Sequence, residues 1–105
     1  MDLPEYIVVF CMAPAEEAEM IAKALIDARL AACVNTTGVQ SRYWWKGAVT
    51  SKPEQLLIIK TQRRLLDTLI SRIEELHSYE VPEIIAIPII GGNAPYFDWL
   101  REETT

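Results

Sequence analysis

Four extended runs and two amphipathic helical stretches, in the order β-α-β-β-α-β with a short helix after them, predict an α+β fold with helices backing an antiparallel sheet. Three observations carry that prediction. Ala18, Ile21, Ala22, Leu25 and Ile26 recur at i, i+3, i+4, i+7 and i+8, the spacing of one helix face. Val39, Ser41, Tyr43 and Trp45 alternate with Gln40, Arg42 and Trp44, the period of a strand. Helical spacing then returns in Leu65, Leu66, Leu69, Ile70, Ile73 and Leu76.

Tyr6 to Cys11 is a β-branched and aromatic run ended by Met12-Ala13-Pro14, a first strand stopped by proline. Pro14 opens the first helix, Glu16 and Glu17 suit its positive end, and the apolar stripe carries it to about Leu30. A long strand follows from Cys33 to Trp45. Lys46-Gly47 turns the chain into a second extended segment, Ala48 to Thr61, in which Pro53 marks a bulge or an unpaired edge. The second helix stops before Val81-Pro82, since the residue preceding proline is pushed out of helical geometry. Ile84 to Ile90 is the last main strand. Gly91-Gly92 breaks it, Asn93 caps, and Pro95 to Glu102 forms a short C-terminal helix with Tyr96, Phe97, Trp99 and Leu100 for packing. The order is the split-βαβ, or ferredoxin-like, arrangement, and right-handed crossovers place both main helices on one face.

Residues 1–105 read as a single domain without linker, repeat or low-complexity stretch, and half of them are apolar. At this size folding buries roughly two-thirds of the surface the unfolded chain exposes. No apolar run approaches the ~20 residues of a membrane span. A net charge of -5 argues against nucleic acid, whose phosphates call for clustered Lys and Arg. Met1-Asp2-Leu3-Pro4-Glu5 lacks a basic stretch before an apolar one, so the expected location is cytoplasmic, with Cys11 and Cys33 as reduced thiols.

Length also bears on assembly. The strand from Cys33 to Trp45 spans ~43 Å at about 3.3 Å per residue, whereas the helix from Pro14 to Leu30 spans ~25 Å at about 1.5 Å per residue. The hairpin therefore overhangs its helices, carrying Tyr43, Trp44 and Trp45 outward as interface aromatics. This predicts a homo-oligomer, which would also protect exposed strand edges.

Several chemistries are absent from the motifs. Gly38, Gly47, Gly91 and Gly92 never form a phosphate-cradling repeat. With His77 alone there is no zinc-hydrolase motif, and a Cys11–His77 pair has no visible orienting partner, so an enzyme is not expected.

Five segments in order resemble the CutA family, the divalent-cation tolerance proteins. They are Ala28-Arg29-Leu30-Ala31-Ala32-Cys33-Val34-Asn35, Tyr43-Trp44-Trp45-Lys46-Gly47, Lys60-Thr61, His77 with Tyr79-Glu80-Val81-Pro82-Glu83-Ile84-Ile85, and Tyr96 with Trp99-Leu100. The resemblance implies a homotrimer of ferredoxin-like subunits similar in architecture to the PII signalling proteins, with clefts between subunits. It further implies a cytoplasmic protein in bacteria, tolerance of copper and other divalent metals, copper binding in some members, and no family-wide catalysis.

On that resemblance Cys11 and His77 are the candidate metal ligands, a soft thiolate and an imidazole that suit copper(I). Copper is then the implied cofactor, with none required for folding. Some copper-binding members carry two successive histidines where this chain has Leu76-His77, and most relatives have proline in place of Ser78. The structural alternative stands beside it: Cys11 as a small buried hydrophobe and His77 as a cation at a helix C-terminus. Arg29, Lys60 and Glu83 either form inter-subunit ion pairs or line a cleft with Tyr79, Tyr43 and Trp45, while Glu54 and Lys52 read as solvated. Three roles follow: a trimeric metal-tolerance protein, a PII-like sensor of a small anion near Lys60, Glu83 and Tyr79, or a scaffold trimer.

Overall fold

The computed structural model describes residues 4–104. The elements are β1 (Tyr6–Ala13), α1 (Ala15–Asp27), β2 (Cys33–Trp45), β3 (Ala48–Gln62), α2 (Leu66–Leu76), β4 (Ile84–Pro88) and α3 (Ala94–Glu103), with a single 3-10 turn, Arg63–Leu65, before α2. They form an antiparallel sheet of order β2-β3-β1-β4, the split-βαβ topology.

Alternation along the strands sets the core. Ile7, Val9, Cys11 and Ala13 of β1 point one way, Leu57 and Ile59 of β3 join them, and α1 and α2 close over that face with Ala18, Ile21, Leu25, Leu69 and Ile73. Tyr6 and Gln62 pair at the opposite parity. There α3 docks: Phe97 stacks on Tyr6 at 4.7 Å between ring centroids, and Gln62 Nε2 donates to Thr104 Oγ1 at 2.9 Å.

The overhang is present. Pairing between β1 and β3 ends at Ala13 with Gln55, whereas β2 and β3 stay in continuous register to Trp45 with Ala48. Pro53 lies beyond the last β1 pair and opposite Gln40 without a bulge, so the unpaired edge is the reason a proline is tolerated. Lys46 (φ 51°) and Gly47 (φ 81°) make the tight reversal, both in the left-handed region that matches strand twist.

Boundaries differ in places. α1 ends at Asp27, short of Leu30, because Ala28 and Arg29 leave the helix and Arg29 takes φ 57°, returning the Leu30 N–H to the Leu25 carbonyl at 3.0 Å. β4 ends at Pro88 rather than Ile90, although the Ile89 N–H still reaches the Tyr6 carbonyl at 3.0 Å. Asn93 precedes α3 without a side-chain cap; its backbone carbonyl accepts from the Tyr96 N–H at 3.0 Å instead.

Candidate functional site: the hairpin cleft

The overhang and the segment after α2 enclose a cleft of about 760 Å³. One wall is a single face of the hairpin, Ser41, Tyr43 and Trp45 with Thr50, Lys52 and Glu54, because residues two apart on a strand project the same way. The facing wall is Ser78 to Glu83, and Met12 at the end of β1 also reaches the cleft.

Tyr79 joins the two walls. Its hydroxyl donates to Glu54 Oε2 at 2.7 Å, and Lys52 Nζ stands 4.2 Å from the Tyr79 ring centroid and 5.9 Å from that of Tyr43. The expectation that Glu54 and Lys52 are simply solvated is therefore corrected. Glu54 is 5% exposed, and Lys52 is drawn against two aromatic rings. Contact with the Tyr79 and then the Tyr43 hydroxyl raises Lys52 above the ordinary lysine range. Burial raises the Tyr79 phenol, opposed by Lys52 and reinforced by Glu54. At the rim Lys46 Nζ lies 3.9 Å from Glu80 Oε2 and 5.6 Å from the Trp45 ring centroid.

His77 holds the cleft to the core. Placed at the C-cap of α2, it is 8% exposed and uses both ring nitrogens. Nδ1 faces the Tyr79 N–H at 3.1 Å and so must accept, while Nε2 faces the Met12 carbonyl at 2.6 Å and so must donate. These partners assign the neutral Nε2–H tautomer. Next to it the Ser78 N–H donates to Glu17 Oε1 at 2.9 Å and the Ser78 hydroxyl donates to Glu17 Oε2. A proline at this position could supply neither donor, so the turn here is fixed by side-chain bonding to α1.

Cys11 faces the helices, fully buried. Desolvation pushes its thiol up to about 12, with the carboxylates of Glu83 and Glu54 adding to the rise. Cys33 is half-buried and its Sγ lies 3.7 Å from Asn35 Oδ1. Among the described residues no three His, Cys, Asp or Glu side chains converge to hold a metal ion.

Of the sequence-selected residues, Tyr43, Trp45, Tyr79 and Glu83 come together at the cleft. Arg29 and Lys60 do not join its lining. Arg29 Nη1 pairs with Glu103 Oε2 at 3.0 Å, and Lys60 donates to Asn35 Oδ1. Trp44 points away from the cleft wall and is 75% exposed. Glu54 and Lys52 were the functional candidates the sequence reading missed; the signal available was their i, i+2 spacing on the hairpin face that Ser41 and Tyr43 share, opposite Val39 and Ser41.

A ferredoxin-like sheet with a long β2–β3 hairpin and a cleft at its base defines a small α+β protein of the PII-like class. The chain belongs to the CutA1 divalent ion tolerance protein family, whose model matches residues 6–103. The divalent-cation tolerance protein CutA of Thermus thermophilus is 50% identical over 99 residues, covering 92% of this chain and 96% of that one. The chloroplastic protein CutA 1 of Oryza sativa is 48% identical over 100 residues, covering 93% of this chain but 56% of its own length. The chain thus spans about half the length of this and several other curated relatives. The crystal structure of CutA1 from Oryza sativa superposes with a TM-score of 0.93 at 45% identity, covering 98% and 96% of the two chains. The PII-like protein CutA from Nostoc sp. PCC 7120 superposes with a TM-score of 0.91 at 36% identity, covering 94% and 97%.

Proposed function

We propose that this chain serves divalent-cation tolerance as a cytoplasmic homotrimer without catalytic activity, with the hairpin cleft as a small-ligand site in the manner of a PII-like sensor. The Tyr79–Glu54 bond carries the reading: it fixes a largely buried carboxylate at the base of a cleft that stays open to solvent. Buried polar groups held rigidly beside aromatic walls are the ordinary make-up of a binding pocket.

The trimer rests on exposed apolar surface. Ile85 and Ile87 of the edge strand β4, Trp44 and Val49 of the hairpin, and Tyr96 and Trp99 of α3 all remain exposed in the single chain. Edge strands left in that state invite pairing with another chain. Sedimentation at micromolar concentration should give three times 11.9 kDa, and a monomer mass would overturn the trimer. For location, the two unpaired thiols suit a reducing compartment. Relatives differ here: the rice protein is named chloroplastic and a structure from Archaeoglobus fulgidus is titled periplasmic. Fractionation of the native host tests the point.

A second reading keeps copper. Cys11 is followed directly by Met12, whose carbonyl holds His77, so the two candidate ligands lie at one end of β1. Copper(I) there would need the Cys11 proton removed and the Tyr79 N–H displaced from Nδ1. Titration of reduced protein with copper(I) against a competing chelator decides it. Unchanged affinity in Cys11→Ser and His77→Ala removes both residues from any such site.

A further inference from the structure

We propose that the hairpin cleft takes an organic ammonium ion, its head between Glu54 and Glu83 and its apolar or aromatic body along Tyr43 and Trp45. This rests on the reading of the cleft as a ligand site and names the ligand's chemistry.

The charges left unpaired in the cleft select the sign. Glu54 Oε2 has the Tyr79 hydroxyl, but Oε1 has no hydrogen-bond or ion-pair partner among the described residues, in a residue only 5% exposed. Glu83 on the facing wall likewise has no ion-pair partner among them. The lining carries three carboxylates, Glu54, Glu80 and Glu83, against two cations, Lys52 and Arg42. Lys52 lies against Tyr79 and Tyr43, and Arg42 is exposed and has no ion-pair partner among the described residues, while Lys46 at the rim meets Glu80 and Trp45. A small anion, the ligand expected from the sequence near Lys60, Glu83 and Tyr79, does not meet Lys60 in this cleft, since Lys60 is bonded to Asn35 and is not part of the lining.

The walls agree. Each aromatic face that meets a charge in this cleft meets an ammonium group, Lys52 on Tyr79 at 4.2 Å and Lys46 on Trp45 at 5.6 Å. Both Glu54 and Glu83 raise the Cys11 thiol, so their fields converge on the same end of β1. A bare divalent ion fits less well, because among the described residues no three His, Cys, Asp or Glu side chains converge, short of the six or so oxygens that hard cations require.

The test is amide-resolved NMR of the full chain titrated separately with benzylammonium, benzyl alcohol, benzoate and manganese(II). Saturable shifts at Tyr79, Glu54 and Glu83 with benzylammonium alone are expected. Loss of one charge-assisted contact in Glu83→Gln or Glu54→Gln should weaken binding about tenfold or more. Glu83 is exposed, so its variant tests the idea without endangering the fold, and the amide oxygen introduced by Glu54→Gln still accepts from the Tyr79 hydroxyl. Equal response to benzyl alcohol, preference for benzoate, or unchanged benzylammonium affinity in both variants would overturn the ammonium while leaving the cleft as a ligand site. Manganese(II) bound at the two glutamates in preference to benzylammonium would overturn it in favour of a metal. Silence with all four probes would bring down both the ammonium and the cleft reading.

Discussion

His77 Nε2 donates to the carbonyl oxygen of Met12 across 2.6 Å, joining the end of α2 to the end of β1 although 65 residues separate them. Because the same ring accepts from Tyr79, and Tyr79 in turn holds Glu54, one imidazole links the core to the base of the hairpin. Replacing it with alanine leaves a partly buried carbonyl without its donor and frees the Tyr79 N–H. His77→Ala should lose about 1–3 kcal/mol of stability, measured by chemical denaturation, with the Tyr79 amide among the first to lose exchange protection.

Glu17 makes stability depend on acid in a defined direction. Bonding from the Ser78 hydroxyl holds its carboxyl below the ordinary value of 4.5. A depressed folded-state value means the contribution is complete above the unfolded value and is lost as pH falls through the folded one. Ser78→Ala should therefore be less stable than the native chain at neutral pH, with the gap closing in acid. A gap that is independent of pH between neutrality and strong acid would remove Glu17 from the account.

The two thiols should separate by reactivity. Cys11 is fully buried with its thiol pushed up to about 12, whereas Cys33 is half-buried at the start of β2. Thiolate is the reacting form, so an alkylating reagent should label Cys33 well ahead of Cys11 in the native protein, with the difference erased in denaturant. Mass mapping of the labelled peptides at successive times reads this directly.

Thr61 offers a clean test of a buried polar contact. It is fully buried, and its hydroxyl donates to the Leu30 carbonyl at 2.7 Å, tying β3 to the turn after α1. Thr61→Val keeps the shape and removes the donor, which should cost about 1–3 kcal/mol in the denaturation midpoint analysis.

Element order, the hairpin turn and the overhang were legible because each rests on local period or chain length, and the pleat of Val39 to Tyr43 follows its predicted alternation. The helix ends were less so: Arg29 at φ 57° is a backbone choice that the side chain does not announce. Glu54 was illegible for a different reason. Beside Pro53 and Gln55 it looks like solvated strand polarity, and its burial comes from Tyr79, 25 residues later in the chain. Lys60 and Arg29 were read as inter-subunit pairs or cleft lining; within the protomer they meet Asn35 and Glu103, partners set by register and by the docking of α3.

Between Val39 and Glu54 the sheet has two strands, and among the described residues no strand pairs with β3 past Ala13 on its outer edge. An isolated two-stranded ribbon is marginal in water. Its amides are therefore a built-in gauge of company: in a lone protomer they would exchange with solvent far ahead of the Leu57 to Thr61 ladder, and each degree of protection they gain on raising protein concentration measures what another chain contributes.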